Sequence, residues 1–197
     1  VFRKRGIIVI GVLALQGNFV SHIEILNKIG IDSKLVKKVN DLSEINGLIL
    51  PGGESTTMSN LLLRDQSFVD AIKSFSQSKP IFGTCAGLIL MSKNSFDKKV
   101  LNMDILDIEV NRNAYGRQVH SFEDSITLES REDKSRLIKA SFIRAPKITS
   151  IGKDVEILCK HNNDVVGVKQ GMHIGVTCHP ELQNELLLHK ICFGSRA

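Results

Sequence analysis

Cys85 sits in Phe82-Gly83-Thr84-Cys85-Ala86-Gly87-Leu88, with a glycine two residues away on either side. A short apolar run, Ile81-Phe82, leads into it, and Leu88-Ile-Leu-Met91 beyond it is helical in character. This is the strand, tight turn and helix of a nucleophile elbow, with cysteine in the place where hydrolases of that layout carry serine. The glycines let the turn close and let backbone or substrate approach the sulfur. The N–H groups opening the following helix favour the thiolate. The same residues would equally make a buried cysteine in an ordinary strand–helix turn, so partners elsewhere in the chain must decide between the two.

A cysteine nucleophile needs a base and a group that orients the base. Thr177-Cys178-His179-Pro180-Glu181-Leu182 offers both. In an extended segment, residues i and i+2 point the same way, about 6–7 Å apart. Pro180 fixes its own φ and keeps His179 out of helix. Glu181 can then hold one imidazole nitrogen while the other faces the sulfur, which is the division of roles in a Cys/His/acid triad. Cys178 would face the opposite side and belongs to the core. The remaining histidines, His22, His120, His161, His173 and His189, show no such arrangement in the sequence and read as structural or surface residues.

Acyl transfer also needs donors for a developing oxyanion. The Ala86 N–H is one, and the Gly52-Gly53 loop can supply the other through close backbone approach. That loop also reads as a glycine turn before a helix capped by Ser55 or Thr56, with Glu54 complementing the dipole; the two readings are compatible. Arg112 and Arg144 follow strand candidates and could clamp a carboxylate bidentately.

These groups need elements to hold them. Ile7 to Leu15 is apolar on both faces, as a central parallel strand requires. Gln16-Gly17 turns the chain, and Phe19 to Ile29 has apolar residues at helical spacing, closed by Gly30. Strands are predicted at Ser33 to Val39 and Gly47 to Leu50, with a short capped turn at Asp41 to Glu44 between them. Helices follow from the Gly-Gly loop to about Leu63 and from Ser67 to Ser78. This alternation predicts a doubly wound, mostly parallel sheet with helices on both faces, and ligands at the carboxyl ends of its strands. Both Gly52-Gly53 and Cys85 fall at such ends. The second half changes character. Short strand candidates at Leu106 to Val110, Ser125 to Leu128, Ala140 to Arg144, Val155 to His161, Val165 to Gln170 and Ile174 to Thr177 predict an antiparallel extension of the sheet. Glu185 to Phe193 reads as a final helix.

With 197 residues, of which 42% are hydrophobic and 24% charged, the chain reads as a single soluble globular domain over residues 1–197. The formal charge of +5 is dispersed, the basic clusters are short, and there is one Tyr and no Trp, which argues against a nucleic-acid module. Four cysteines without a CxxC pair, and no Asn-x-Ser/Thr sequon, predict a reducing, cytoplasmic setting. Arg3-Lys-Arg5 before an apolar run has the outline of a signal peptide, but the run leads directly into a helical pattern, and a buried first strand is the better reading. No segment is long enough to span a membrane.

Taken together, these residues resemble the class I, triad-type glutamine amidotransferases, and within them the branch that forms the glutaminase subunit of pyridoxal 5'-phosphate synthase. The matching stretches are Gly11-Val-Leu-Ala-Leu-Gln-Gly17, Leu50-Pro-Gly-Gly-Glu-Ser-Thr-Thr57, Phe82 to Leu88, Arg112-Asn-Ala-Tyr-Gly-Arg-Gln118, Phe142-Ile-Arg-Ala-Pro146 and His179-Pro-Glu-Leu182. The resemblance implies a flavodoxin-like three-layer fold and hydrolysis of L-glutamine to glutamate and ammonia, with no cofactor and no metal. It implies that the ammonia passes to a TIM-barrel synthase core subunit in a hetero-oligomer, and that docking to this partner organises the oxyanion loop. By similarity, Cys85 forms the thioester, His179 shuttles the proton and Glu181 orients it. Gly53 and Ala86 would form the oxyanion hole, and Gly53, Glu54, Ser55, Arg112, Ile143 and Arg144 would hold glutamine. The chain departs from the pattern at His120, where the branch usually has Asp, and in Gln183-Asn-Glu-Leu-Leu187.

Overall fold

The computed structural model describes residues 8–112, 121–129 and 135–194. Strand β1 (Val9–Leu13) lies between β2 (Asp32–Val36) and β3 (Gly47–Leu50), parallel to both, and β4 (Ile81–Thr84) and β12 (His173–Val176) continue the parallel set. From β12 the sheet runs antiparallel through β11 (Asp164–Gln170), β10 (Glu156–His161), β7 (Phe122–Leu128) and β8 (Arg136–Phe142), giving nine strands in the order 2-1-3-4-12-11-10-7-8. The doubly wound core and its antiparallel extension are therefore those the sequence predicts.

Side chains alternate between two cores because each central strand is covered on both faces. Ile10, Val12, Phe82 and Val176 meet Leu26 of α1 (Phe19–Lys28) and Leu188 and Phe193 of α5 (Leu187–Phe193). Leu13, Leu48, Leu50 and Ile81 meet Met58 and Leu62 of α2 (Ser55–Leu62), Phe68 and Ile72 of α3 (Gln66–Ser76), and Leu88 and Met91 of α4 (Ala86–Met91). Burying each large side chain of this kind stabilises the fold by about 1.5–3 kcal/mol. No helix among the described residues is long and apolar enough to cross a membrane.

Several boundaries differ from expectation, each for a visible reason. Strand β2 stops at Val36 rather than Val39 because the Asp41 carboxylate accepts from the Lys37 and Lys38 N–H groups at 2.9 and 3.1 Å and bends the chain into a 3-10 helix over Val39–Glu44. Helix α2 is capped by Glu54, not by Ser55 or Thr56; its carboxylate accepts from Thr56 N–H at 3.3 Å and Thr57 N–H at 2.7 Å. Strand β8 ends at Phe142, so Ile143 and Arg144 form a turn, with Arg144 at φ 45°. The last helix begins at Leu187 because Pro180–Gln183 forms a 3-10 helix that closes on Asn184 in the left-handed region. The altered segment after Leu182 is tied into the fold: Gln183 Nε2 donates to Ser141 Oγ and Lys28 Nζ donates to Asn184 Oδ1.

A second, three-stranded sheet forms from β5 (Ser92–Asn94), β6 (Leu106–Asn111) and β9 (Lys147–Ile151), and its Leu106, Ile108, Val110 and Ile148 join the core over α4. Leu106 to Val110, expected in the antiparallel extension, instead lies in this separate sheet, because it pairs with β5 and β9 rather than with the main sheet. Strands β5 and β9 were not legible, being three and five residues long and mostly polar.

Candidate active site

The elbow is formed as the sequence requires. Cys85 follows β4, its N–H donates to Val176 C=O of β12 at 2.9 Å, and its own C=O accepts from Ile89 N–H at 3.2 Å as α4 begins. Its backbone sits at φ 47° and ψ −103°, a costly region for a residue with a side chain, held there by the strand before it and the helix after it. Gly87 is needed because a Cβ there would lie 1.9 Å from the Leu50 carbonyl oxygen. Such close helix–strand packing is open only to glycine.

His179 reaches the sulfur from the far end of β12. Its N–H donates to Ser141 C=O at 2.8 Å and its C=O accepts from Ser141 N–H at 3.2 Å, so the end of β8 pins it. Its Nδ1 lies 2.8 Å from Glu181 Oε1. The expected partnership forms, but not by the expected geometry: Glu181 lies inside the 3-10 helix opened by Pro180, whose tight turn brings the carboxylate back under the ring. Gly52 packs on the other side of the imidazole, where a Cβ would be 2.1 Å from Cε1.

The electrostatics fit a coupled pair. Burial works to lower the His179 pKa, but the Cys85 sulfur and the Glu181 carboxylate more than offset it and push it up to about 10. Burial works to raise Glu181, yet His22 and His179 hold its carboxyl below the usual range. Cys159 is pushed up to about 12 by burial, and Cys178, in the opposite core as expected, well above the ordinary thiol value. Neither is a nucleophile candidate.

A cleft of about 460 Å³ opens over Cys85, at the carboxyl ends of β1, β3 and β4. It brings together Gly53, Glu54, Ser55, Cys85, Arg112, Ile143, Arg144 and His179. Ala86, the other expected oxyanion donor, is buried at the first position of α4. The Ile143 carbonyl oxygen lies 4.0 Å from Cys85 Sγ. Arg112 is not free to act as an isolated clamp: it donates to Thr56 Oγ1 at 2.8 Å and pairs with Asp97 Oδ2 at 3.2 Å and Glu54 Oε1 at 3.5 Å. Glu54 in turn is committed to its cap and to Arg112.

Sequence reasoning missed part of the site. Gln16 Oε1 accepts from Glu54 N–H at 2.9 Å and Asn18 N–H donates to Gly52 C=O at 2.9 Å, so the turn after β1 clamps the Gly-Gly loop. Their position at a strand's carboxyl end was the signal that could have found them. Two of the other histidines, structural or surface residues as expected, have carboxylate neighbours that the sequence did not show. His22 lies 3.6 Å from Glu181 and His161 lies 2.9 Å from Asp124, while His173 Nδ1 accepts from Ile81 N–H. His120 and the stretch from Asn113 to Gln118 lie outside the described residues. Among the described residues, no group of three or more His, Cys, Asp or Glu side chains could hold a metal ion.

The buried histidines set a pH dependence of stability. Burial lowers His22 and takes His189 well below its ordinary value, so the unfolded chain binds protons there that the folded chain refuses. Their contribution is present above about pH 6.5 and is lost as pH falls. His179 has the opposite sign, its contribution being complete below about pH 6.5 and lost as pH rises towards about 10. The unfolding free energy from urea titrations is therefore expected to fall between pH 7 and pH 5, by up to about 1.4 kcal/mol per pH unit below about pH 6.5 for each of the two histidines, and the urea midpoint with it. A midpoint that is flat or rises over that interval would contradict the assignment.

An elbow cysteine, an imidazole from the last parallel strand and a carboxylate under it, on a flavodoxin-like three-layer sheet, are the marks of a triad-type glutamine amidotransferase. The chain belongs to the SNO glutamine amidotransferase family, whose pattern it matches over residues 12–193. Among its relatives, a pyridoxal 5'-phosphate synthase subunit PdxT from Desulforamulus reducens is 42% identical over 182 residues, covering 92% of this chain and 96% of that protein. The PdxT of Francisella philomiragia is 44% identical over 181 residues, covering 92% and 95%. A crystal structure described as a glutamine amidotransferase superposes with a TM-score of 0.86 at 37% identity, covering 95% of this chain and 98% of that one. PurLQS from Thermotoga maritima shares the fold, with a TM-score of 0.68 at 16% identity.

Proposed function

We propose that the protein is the glutaminase subunit of a pyridoxal 5'-phosphate synthase, hydrolysing L-glutamine at Cys85 and passing the ammonia to a synthase partner. The observation that carries the chemistry is a single one: Cys85 faces the cleft with His179 beside it and Glu181 2.8 Å from the far side of that imidazole. The sulfur attacks the side-chain amide carbon, and the carbonyl oxygen takes the charge. The N–H groups of Ala86 and Gly53 meet that charge. His179 Nε2 gives its proton to the departing nitrogen, so ammonia leaves and a glutamyl thioester remains. Water then attacks the thioester while His179 takes its proton, and glutamate leaves as the sulfur is restored. Glu181 holds the imidazole through both half-reactions and stabilises its charged form.

Glutamine's amino-acid end lies among Gly53, Glu54, Ser55, Arg112, Ile143 and Arg144. Of the two arginines, Arg144 is the better partner for the substrate carboxylate, because Arg112 already has two carboxylates beside it. The partner is a TIM-barrel synthase core in a hetero-oligomer, and the setting is cytoplasmic, in keeping with the relatives' names and with four free, buried cysteines. Neither nucleic acid nor membrane takes part.

The test is glutamate release from L-glutamine, measured with and without a pyridoxal 5'-phosphate synthase core subunit. Activation of at least about tenfold is expected, because ordering a loop that supplies one oxyanion donor is worth about that or more. Full activity without the core subunit would show a self-sufficient amidohydrolase and overturn the partner assignment.

A further inference from the structure

The triad carboxylate has a second imidazole beside it. Glu181, only 3% exposed, accepts from His179 through Oε1, and Oε2 has no hydrogen-bond partner among the described residues. His22 of α1, fully buried, places Nε2 3.6 Å from the same Oε1. The ring is fixed at both nitrogens: Nε2 lies 3.2 Å from Thr84 Oγ1 and Nδ1 lies 2.9 Å from His189 Nε2 on α5. Thr84 immediately precedes Cys85, so the network joins α5 and α1 to the strand that carries the nucleophile. The Phe82 ring, edge-on to His189 at 4.9 Å, closes the apolar side.

The tautomer follows from what each nitrogen faces. Burial keeps His22 neutral, so one nitrogen is an N–H and the other a lone pair. A lone pair on Nε2 would oppose the carboxylate oxygen, whereas an N–H there donates to Thr84 Oγ1 and lays the positive end of its dipole beside the carboxylate. Nδ1 is then the acceptor for His189 Nε2–H. His189 Nδ1, which has no partner among the described residues, becomes a bare lone pair rather than a stranded donor, which is the less costly of the two. At 3.6 Å the His22–Glu181 contact is longer than a hydrogen bond and acts through the field of the N–H.

We propose that His22 is a positioning residue of the triad: its Nε2–H, fixed by Thr84 and His189, holds the Glu181 carboxylate charged and turned towards His179. This rests on the reading of Glu181 as the group that orients His179. Among the described residues, the titratable groups facing this cluster are Glu181, His179 and His189, with Cys178 near Glu181 and Cys85 next to His179.

Asparagine and glutamine at position 22 separate this role from simple packing. The amide of His22→Asn reproduces the Nδ1 side of the ring, and that of His22→Gln reaches the Nε2 side. With the synthase core present and L-glutamine as substrate, His22→Asn is expected to lower kcat about tenfold, with KM unchanged and the acid limb of the kcat profile moved to higher pH. His22→Gln is expected to stay within about twofold of wild type, since its amide N–H still faces Glu181. Equal kcat in the two variants with an unmoved acid limb would overturn the proposal. Glu181→Ala is assayed alongside: wild-type turnover in that variant would remove the triad assignment and the His22 role together, whereas loss of turnover there with equal Asn and Gln variants removes the His22 role alone. Should His22→Asn fold poorly, nitrogen NMR of the wild-type imidazoles decides, with an Nε2–H tautomer expected for His22 and an Nδ1–H tautomer contradicting the proposal.

Discussion

Cys85→Ala is expected to lower glutamine hydrolysis by at least about 10⁴-fold, since loss of the nucleophile removes the covalent route and leaves only binding and oxyanion stabilisation. The fold should survive. Cys85 Sγ borders the cleft rather than filling the core, so its removal enlarges an open space instead of creating a sealed cavity. Alanine keeps the Cβ that the φ of 47° already tolerates, so the change in stability is expected to stay within about 1 kcal/mol. A variant that folds normally and retains more than a few per cent of wild-type glutaminase activity would remove Cys85 from the mechanism.

His179→Asn is expected to cost about 10³- to 10⁴-fold in kcat while leaving KM for glutamine close to wild type. The asparagine amide can keep the contact to Glu181 Oε1 that His179 Nδ1 makes at 2.8 Å, and the backbone pairing with Ser141 is untouched, so the pocket keeps its shape. What disappears is Nε2, the atom that carries the proton between sulfur, leaving nitrogen and water. Turnover within tenfold of wild type would contradict its role as the base, and a large rise in KM with kcat unchanged would place it in substrate binding instead.

Much of this was legible in the sequence because local rules act on short stretches. Gly83 and Gly87 around Cys85, and Pro180 between His179 and Glu181, mark their turns directly, and the alternating strands and helices of the first half fix where the strand ends lie. What could not be read was long-range. His22 and Glu181 are 159 positions apart, and only the packing of α1 over the 3-10 helix joins them. Asp97 reaches Arg112 from a loop with no sequence signal, and β9 is a five-residue strand whose partner, β6, is about forty residues away. The extended geometry expected for His179 and Glu181 gave the right partnership for the wrong reason, since periodicity does not see the 3-10 turn that Pro180 starts.

The most direct test of the central claim is alkylation by iodoacetamide, followed together with loss of glutaminase activity and mapped over the four cysteines. Cys85 borders the cleft, while Cys159 and Cys178 are fully buried and have raised pKa values. The expected result is one modification, at Cys85, formed at the rate of inactivation and slowed by L-glutamine. Complete modification of Cys85 with activity retained, or complete inactivation with Cys85 unmodified, would contradict it.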